Sequence, residues 1–406
     1  MIHGSYYEPS MLQTFGTGAK INLDRLMELS ASSSLNREKI KELGRDGIVD
    51  WRTSIPSVSV SLRQKEYGSM TIYQALANSA LTTLTQASFK TPATDILGYE
   101  TDDDAVVLGT VWYPKLRLSG ISINIGSPDE QAERSFTLVG EDSLSFYNLN
   151  KYIIELTDTV GSGEAGAFDI VIGSGDFSTY PDPVDDPDNS GEYFERIVRV
   201  RAGVSYELVA ADYSYVSGTT TLTIAAALLD DVYKVIYSAT TYISGGDPFV
   251  ENDSDLAGIE AHSASIYITN TSNYIYRLQN VGIDISLNRQ DVKEIGNSEV
   301  VSRGVRDTNV SITLGRNLED YTLEELLRGV SADHGKIDIR EFADDLTMIV
   351  KFYSDKTKAT FKYGWKFTNL SPVGIEDAAT VEEYVSKGVS LQGEEFCVSS
   401  TEEDIE

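Results

Sequence analysis

Cysteine is nearly missing from this 406-residue chain, where Cys397 stands alone. That excludes an intrachain disulfide and a cysteine-based zinc site, so the fold must hold by burial. Histidine is almost as scarce: His3, His262 and His334 are the full set. None lies in a nucleophile context and there is no G-x-S-x-G, so the chain offers no catalytic residue and reads as a non-enzyme. Positive charge is short too, with 33 Lys+Arg against 63 Asp+Glu and a net charge of -30. Such a chain neither wraps nucleic acid by neutralising phosphates nor adsorbs to an anionic leaflet. No run comes near the roughly 18 apolar residues of a membrane-crossing helix. The start, Met1 to Glu8, has no basic region before an apolar run, so no signal peptide is expected and assembly in a cytoplasm is the simplest reading.

What is present is apolar material for several cores: 41% hydrophobic residues and 10% aromatics, against wholesale disorder. At roughly 100–150 residues per domain the length suits two to four domains. An internal repeat organises them. Ser34-Leu35-Asn36-Arg37 recurs as Ser286-Leu287-Asn288-Arg289, and at the same offset of 252 residues 25–62 align ungapped with 277–314. Of those 38 positions 13 are identical, among them Lys41/Lys293, Glu42/Glu294, Gly44/Gly296, Val58/Val310 and Ser59/Ser311. Chance would give about two, so a module is duplicated. Three domains are expected: copy 1 over 1–150, an inserted domain over 151–260, and copy 2 over 261–406.

The insertion carries 20 acidic and 5 basic residues, a net of -15 and half of the total charge. Its Pro-punctuated run Tyr180 to Asn189 reads as an exposed loop, and Glu195–Val200, Thr219–Ile224 and Tyr233–Tyr237 read as strands. It is expected to be β-rich, displayed outward and removable. Both copies are mostly strand. Ser57-Val58-Ser59-Val60-Ser61-Leu62 and Asn309-Val310-Ser311-Ile312-Thr313-Leu314 alternate polar and apolar, with one face for a core and one for water. A short helix follows in each copy, the second opening at Asp320 and stopping at Gly329. The fold class is mainly β with short helices.

Motifs with chemical meaning fail on context. Gly161-Ser162-Gly163-Glu164-Ala165-Gly166 fits G-x-G-x-x-G but leads into a strand, so no helix N-terminus cradles a pyrophosphate. Asp186, Asp188 and Ser190 imitate an EF-hand start, but position twelve would be Ile197, which cannot ligate. No cofactor and no metal is expected.

The order of elements in each copy resembles that of the tail tube proteins of long-tailed, siphovirus-type bacteriophages. It runs from Ser-Leu-Asn-Arg to Ile/Val-Lys-Glu-Leu/Ile-Gly, then an alternating strand, a short helix, a Gly-Ile-Ser-Ile-Asn-Ile-like strand and a late Leu-x-Gly-Glu. The duplication resembles the subclass with two tube domains in one chain, over roughly 20–150 and 265–400. The resemblance implies a duplicated β-sandwich domain that forms a barrel. Three chains would build a pseudo-sixfold ring, and rings would stack into a hollow conduit for genome ejection. The location would be the virion tail, after assembly in the host cytoplasm. Partners would be further copies, the tape measure, terminator and baseplate proteins, and genomic DNA passing without specific binding; no membrane is implied. On this reading Ser57, Ser59, Ser61, Asn309, Ser311 and Thr313 line the lumen. The family's long inter-ring loop would fall on 36–56 and 288–308, with Arg37, Lys41, Glu42, Gly44, Arg289, Lys293, Glu294 and Gly296 as its retained residues. Two alternatives stay open: a baseplate or tail-terminator ring protein of the same fold, and a host-binding or polysaccharide-degrading tail protein.

Overall fold

The computed structural model describes residues 7–12, 20–23, 25–35, 37–40, 50–53, 55–102, 106–127, 130–186, 190–202, 204–244, 258–268, 273–274, 278–292, 302–317, 327, 342–378 and 386–406. The chain is mainly β, as its alternating patterns require. Copy 1 contributes β1 (Tyr7–Leu12), β2 (Ile21–Asn22), β3 (Leu26–Ser34), β4 (Arg37–Ile40), β5 (Asp50–Thr53) and β6 (Ser57–Lys65). Helix α1 (Thr71–Leu76), β7 (Thr83–Thr85), β8 (Thr94–Thr101), β9 (Val107–Ile125), β10 (Glu133–Gly140) and β11 (Leu144–Tyr147) follow. The insertion holds β12 (Tyr152–Thr159), β13 (Gly166–Val171), β14 (Arg196–Arg201), β15 (Val204–Glu207), β16 (Tyr213–Val216), β17 (Thr221–Ala227) and β18 (Val232–Ala239). Copy 2 supplies β19 (Ala264–Ile268), β20 (Asn273–Tyr274), β21 (Leu278–Val292) and β22 (Ser302–Asn317), then β23 (Leu346–Tyr353), β24 (Phe361–Ala378), β25 (Ser386–Gly393) and β26 (Glu395–Ser399). The helix expected from Asp320 to Gly329 lies outside the described residues except for Leu327.

The sequence repeat is also a repeat of register. Ser32 faces Ser59 on β3–β6, and Asp284 faces Ser311 on β21–β22, each partner 252 residues on. Both hairpins bulge at the same place, Leu26/Glu28 and Leu278/Asn280. The pairs β8–β9 and β23–β24 match too, with bulges at Thr94/Ile96 and Leu346/Met348; β8 maps to β23 at an offset of 252 and β9 to β24 at 254. Bulges bend a strand and set its twist, so keeping them keeps the curvature of each copy. The expected long loop of copy 1 is itself a hairpin: Arg37 pairs Thr53 and Ile40 pairs Asp50. Copy 2 does the same, with Arg289 opposite Val305 and Val292 opposite Ser302.

By internal contacts the chain forms two compact units. The first comprises 1–24, 93–116 and 140–253, the second 25–92, 117–139 and 254–406. Strand β9 belongs to the first as far as Leu116 and to the second from Arg117.

In the first unit the insertion forms two sheets, β12-β18-β14-β15 and β13-β17-β16. They share a core that includes Leu156, Phe168, Ile170, Leu222, Tyr233 and Val235. The opposite face of the four-stranded sheet is covered as well. Ile153 and Ile236 bury with Leu97, Tyr99, Val107 and Trp112 of copy 1. A strand covered on both faces loses its alternation, and Val232–Ala239 is buried along nearly its whole length. Asp95, fully buried, accepts from Trp112 Nε1 (3.2 Å), the Lys115 amide (2.8 Å) and Arg196 Nη1 (2.9 Å). The insertion is therefore not a detachable decoration: it completes the core over β8 and β9. The described part of the run expected as an exposed loop, 180–186, is irregular, and apart from Asp182 it is buried or half-buried. Val184 donates to the Ser238 carbonyl at 3.0 Å, Tyr237 Oη to the Pro181 carbonyl at 3.0 Å, and Pro183 is buried.

Candidate assembly surfaces

In the second unit, strands of both copies join one antiparallel sheet. Its order is β3-β6-β10-β9-β21-β22-β25-β24, built from two equivalent sets of four. The two sets meet where β9 of copy 1 pairs β21 of copy 2, from Ile125 opposite Val281 to Gly120 opposite Ser286. Among the described residues β3 pairs only with β6, and Ser371–Ala378 of β24 only with β25. By the repeat, β3 is the counterpart of β21 and β24 that of β9. The two outer edges are therefore the two halves of the inner junction.

The sheet's faces follow the period of two. Val58, Val60, Leu62, Val310, Ile312 and Leu314 are all at most 3% exposed. Ser57, Asn309 and Thr313 are exposed, and Ser59, Ser61 and Ser311 are half-buried. The polar face bears hydroxyls and amides with Asp284 and Glu376. At one end Arg63 lies 3.5 Å from Glu28 and 3.8 Å from Glu133, which also takes Lys65 at 2.5 Å.

The junction between copies carries a buried polar cluster that the sequence did not reveal. Arg134 and Glu66 are both 0% exposed and lie 3.4 Å apart. Glu66 also accepts from Tyr363 Oη (2.6 Å) and from the Tyr67 and Gly68 amides (2.9 and 2.8 Å). Arg134 donates to the Ser69 carbonyl (3.0 Å) and to Gln64 Oε1 (3.2 Å), with its guanidinium over the rings of Tyr67 and Tyr73. Burial alone would lower the Arg134 pKa; the Glu66 carboxylate together with Tyr73, Tyr67 and Tyr363 more than offsets that and raises it. Tyr73, on α1, packs edge-on against Trp365 of copy 2 at 5.2 Å. The only signal in sequence is two unlike charges on neighbouring strands, which nothing pairs before the fold does.

Of the residues expected on the long loop, Lys41, Glu42, Gly44, Lys293, Glu294 and Gly296 lie outside the described residues. Arg37 is exposed. Arg289 is drawn into the chain: Nε donates to the Leu118 carbonyl (2.5 Å), Nη1 to that of Lys90 (3.0 Å) and Nη2 to that of Phe89 (3.0 Å). Burial, with Arg117 and Arg303 nearby, lowers its pKa to about 10. His262 sits 2.9 Å from Glu260; His3 and His334 lie outside the described residues. Among the described residues no three His, Cys, Asp or Glu side chains gather as metal ligands.

No family model matches the chain, and no characterised protein matches it in sequence. Part of it is similar to the tube-terminating cap of the anti-feeding prophage, at 11% identity over 40% of this chain and 100% of that one, with a TM-score of 0.27. A second likeness is to the baseplate of the same particle, at 16% identity over 33% of this chain and 89% of that one, with a TM-score of 0.25.

Proposed function

We propose that the chain is the repeating subunit of a viral tail tube, a passive structural conduit and not an enzyme. The eight-stranded sheet carries the reading. Its outer edges repeat the two sides of its inner junction, so a second chain can add to β24 as β21 adds to β9. Exposed strand edges are otherwise a liability, which closure removes. Three chains give a closed barrel of 24 strands, since each supplies eight. Strands about 4.8 Å apart and tilted about 40° give a circumference of about 150 Å and a backbone diameter of about 48 Å. Side chains leave roughly 35–40 Å, and duplex DNA about 20 Å wide passes. With the apolar face of each sheet toward its own core, the polar face lines the lumen. Its hydroxyls, acids and ion-paired Arg63 offer phosphate no anchor. Stacked rings, contacts with tape measure, terminator and baseplate proteins, and a place in the virion tail belong to the same reading. Negative-stain microscopy of the purified protein tests it. Long hollow tubes are expected; isolated rings would favour a terminator or baseplate role, and no rings at all would end the proposal.

A further inference from the structure

We infer that Arg37 fastens each chain to the next by the contact that Arg289 makes between the two copies of one chain, a role that rests on the ring reading above. Arg289 donates to main-chain carbonyls: those of Leu118 at the junction strand, of Phe89 and Lys90 at the end of the 3-10 turn Gln86–Phe89, and, within copy 2, of Arg303 at 3.4 Å. Carbonyls at such an end lack a partner within the turn and attract a cation. Arg37 stands at the same register position as Arg289: Arg37 is opposite Thr53 and Arg289 opposite Val305, each 252 apart. It is exposed on the free-edge side of the sheet.

Two of these acceptors, Lys90 and Leu118, have counterparts among the described residues. Lys90 maps to Phe342 at the 252 offset that holds from Thr94 to Leu346, and Leu118 maps to Pro372, opposite Leu391 as Leu118 is opposite Leu138. Phe342 and Pro372 are both half-buried, and Pro372 lies in β24 on the stretch that pairs only with β25 among the described residues. Main-chain acceptors need no particular side chain, and proline keeps its carbonyl. Only the arginine has to recur, and it does. The recurrence of Arg37 as Arg289 is thereby explained: one junction is made within the chain and one between chains. The in-chain register also fixes the other. Asp284 opposite Ser122 becomes Ser32 of one chain opposite Glu376 of the next. Gly120, where a side chain would come within 3.3 Å of the Ile285 carbonyl, has its counterpart in Gly374, which stands in open space at the edge.

The test compares Arg37→Ala with Arg289→Ala in the full chain, alongside Ser32→Cys/Glu376→Cys in a Cys397→Ser background. Arg37→Ala should leave the thermal melting of the dissociated chain unchanged. It should weaken ring formation about tenfold or more per junction by sedimentation velocity, the loss of charge-assisted hydrogen bonds. Arg289→Ala should lower the melting temperature of the dissociated chain itself. The oxidised cysteine pair should run as a covalent trimer on a non-reducing gel. If the unaltered chain forms rings and Arg37→Ala forms them equally well, the arginine inference falls while the ring stands. If the unaltered chain forms no rings, both fall. Rings that assemble normally but never cross-link at 32 and 376 would overturn the register.

Discussion

Two acids in this molecule, buried Glu66 and half-buried Glu195, each make a prediction. Glu66 is held by Arg134, Tyr363 and two amides. Replacing it with alanine leaves a buried guanidinium without its carboxylate, a loss of about 3–5 kcal/mol in pairs of this kind. Glu66→Ala should therefore unfold well below the natural chain in a thermal melt, whereas Glu28→Ala, at an exposed pair, should move the midpoint little. Glu195 is instead pushed up to about 7 from an ordinary 4.5, first by burial and then by Asp186. The folded protein thus binds this proton more tightly than the unfolded chain does. Stability falls as pH rises from the unfolded value through the folded one, and the penalty is complete above about 7. Glu195→Gln should raise the melting temperature at pH 8 and leave it unchanged at pH 4. An equal shift at both would show that charge is not the cause. Glu66 did not announce itself in sequence, because Arg134 and Tyr363 lie on strands far away along the chain.

Among the elements, alternation was the legible part. Ser57–Leu62 and Asn309–Leu314 fold with the faces their patterns dictate, because one buried face forces a period of two. The insertion's strands Arg196–Arg201, Thr221–Ala227 and Val232–Ala239 also lie where β-branched residues gather. What local pattern could not give was the second covered face of β12 and β18. A strand buried on both sides reads the same whether its neighbour is its own sheet or a distant one. Nor could spacing tell that Asp95 waits for Arg196, 101 residues on. Removing 152–244 behind a Gly/Ser linker would uncover Leu97, Tyr99 and Trp112 and leave Asp95 buried without its guanidinium. That deletion should yield insoluble protein or a loosened core by near-ultraviolet circular dichroism. A soluble, cooperatively melting product would contradict the shared core. Arg289 shows the same limit at a junction: the repeat marked it as special, while its carbonyl partners left no trace in sequence.

At the scale of the whole molecule the polar sheet face carries the proposed function. Ser59→Lys with Ser311→Lys should leave folding nearly intact, since changes at wet sites usually stay within about 0.5 kcal/mol. In assembled tubes each trimeric ring would gain six positive charges, two per chain, and should retain DNA in a filter-binding assay in a salt-dependent way. Val60→Lys with Ile312→Lys should abolish soluble protein, because both sites are 0% exposed. Tubes that ignore DNA after the serine changes would show that this face does not line the channel. The inner junction has a further consequence, for concentration. Six tube domains on separate chains would meet as six bodies, each paying the entropy of association. In the proposed trimeric ring β9 would already hold β21, so half of the contacts would form at the high effective concentration that a covalent tether provides. Closure becomes a third-order problem rather than a sixth-order one. Dilution should then dissolve rings far less steeply than it would rings of single-domain subunits. In such an assembly the duplication would spare nucleation rather than elongation.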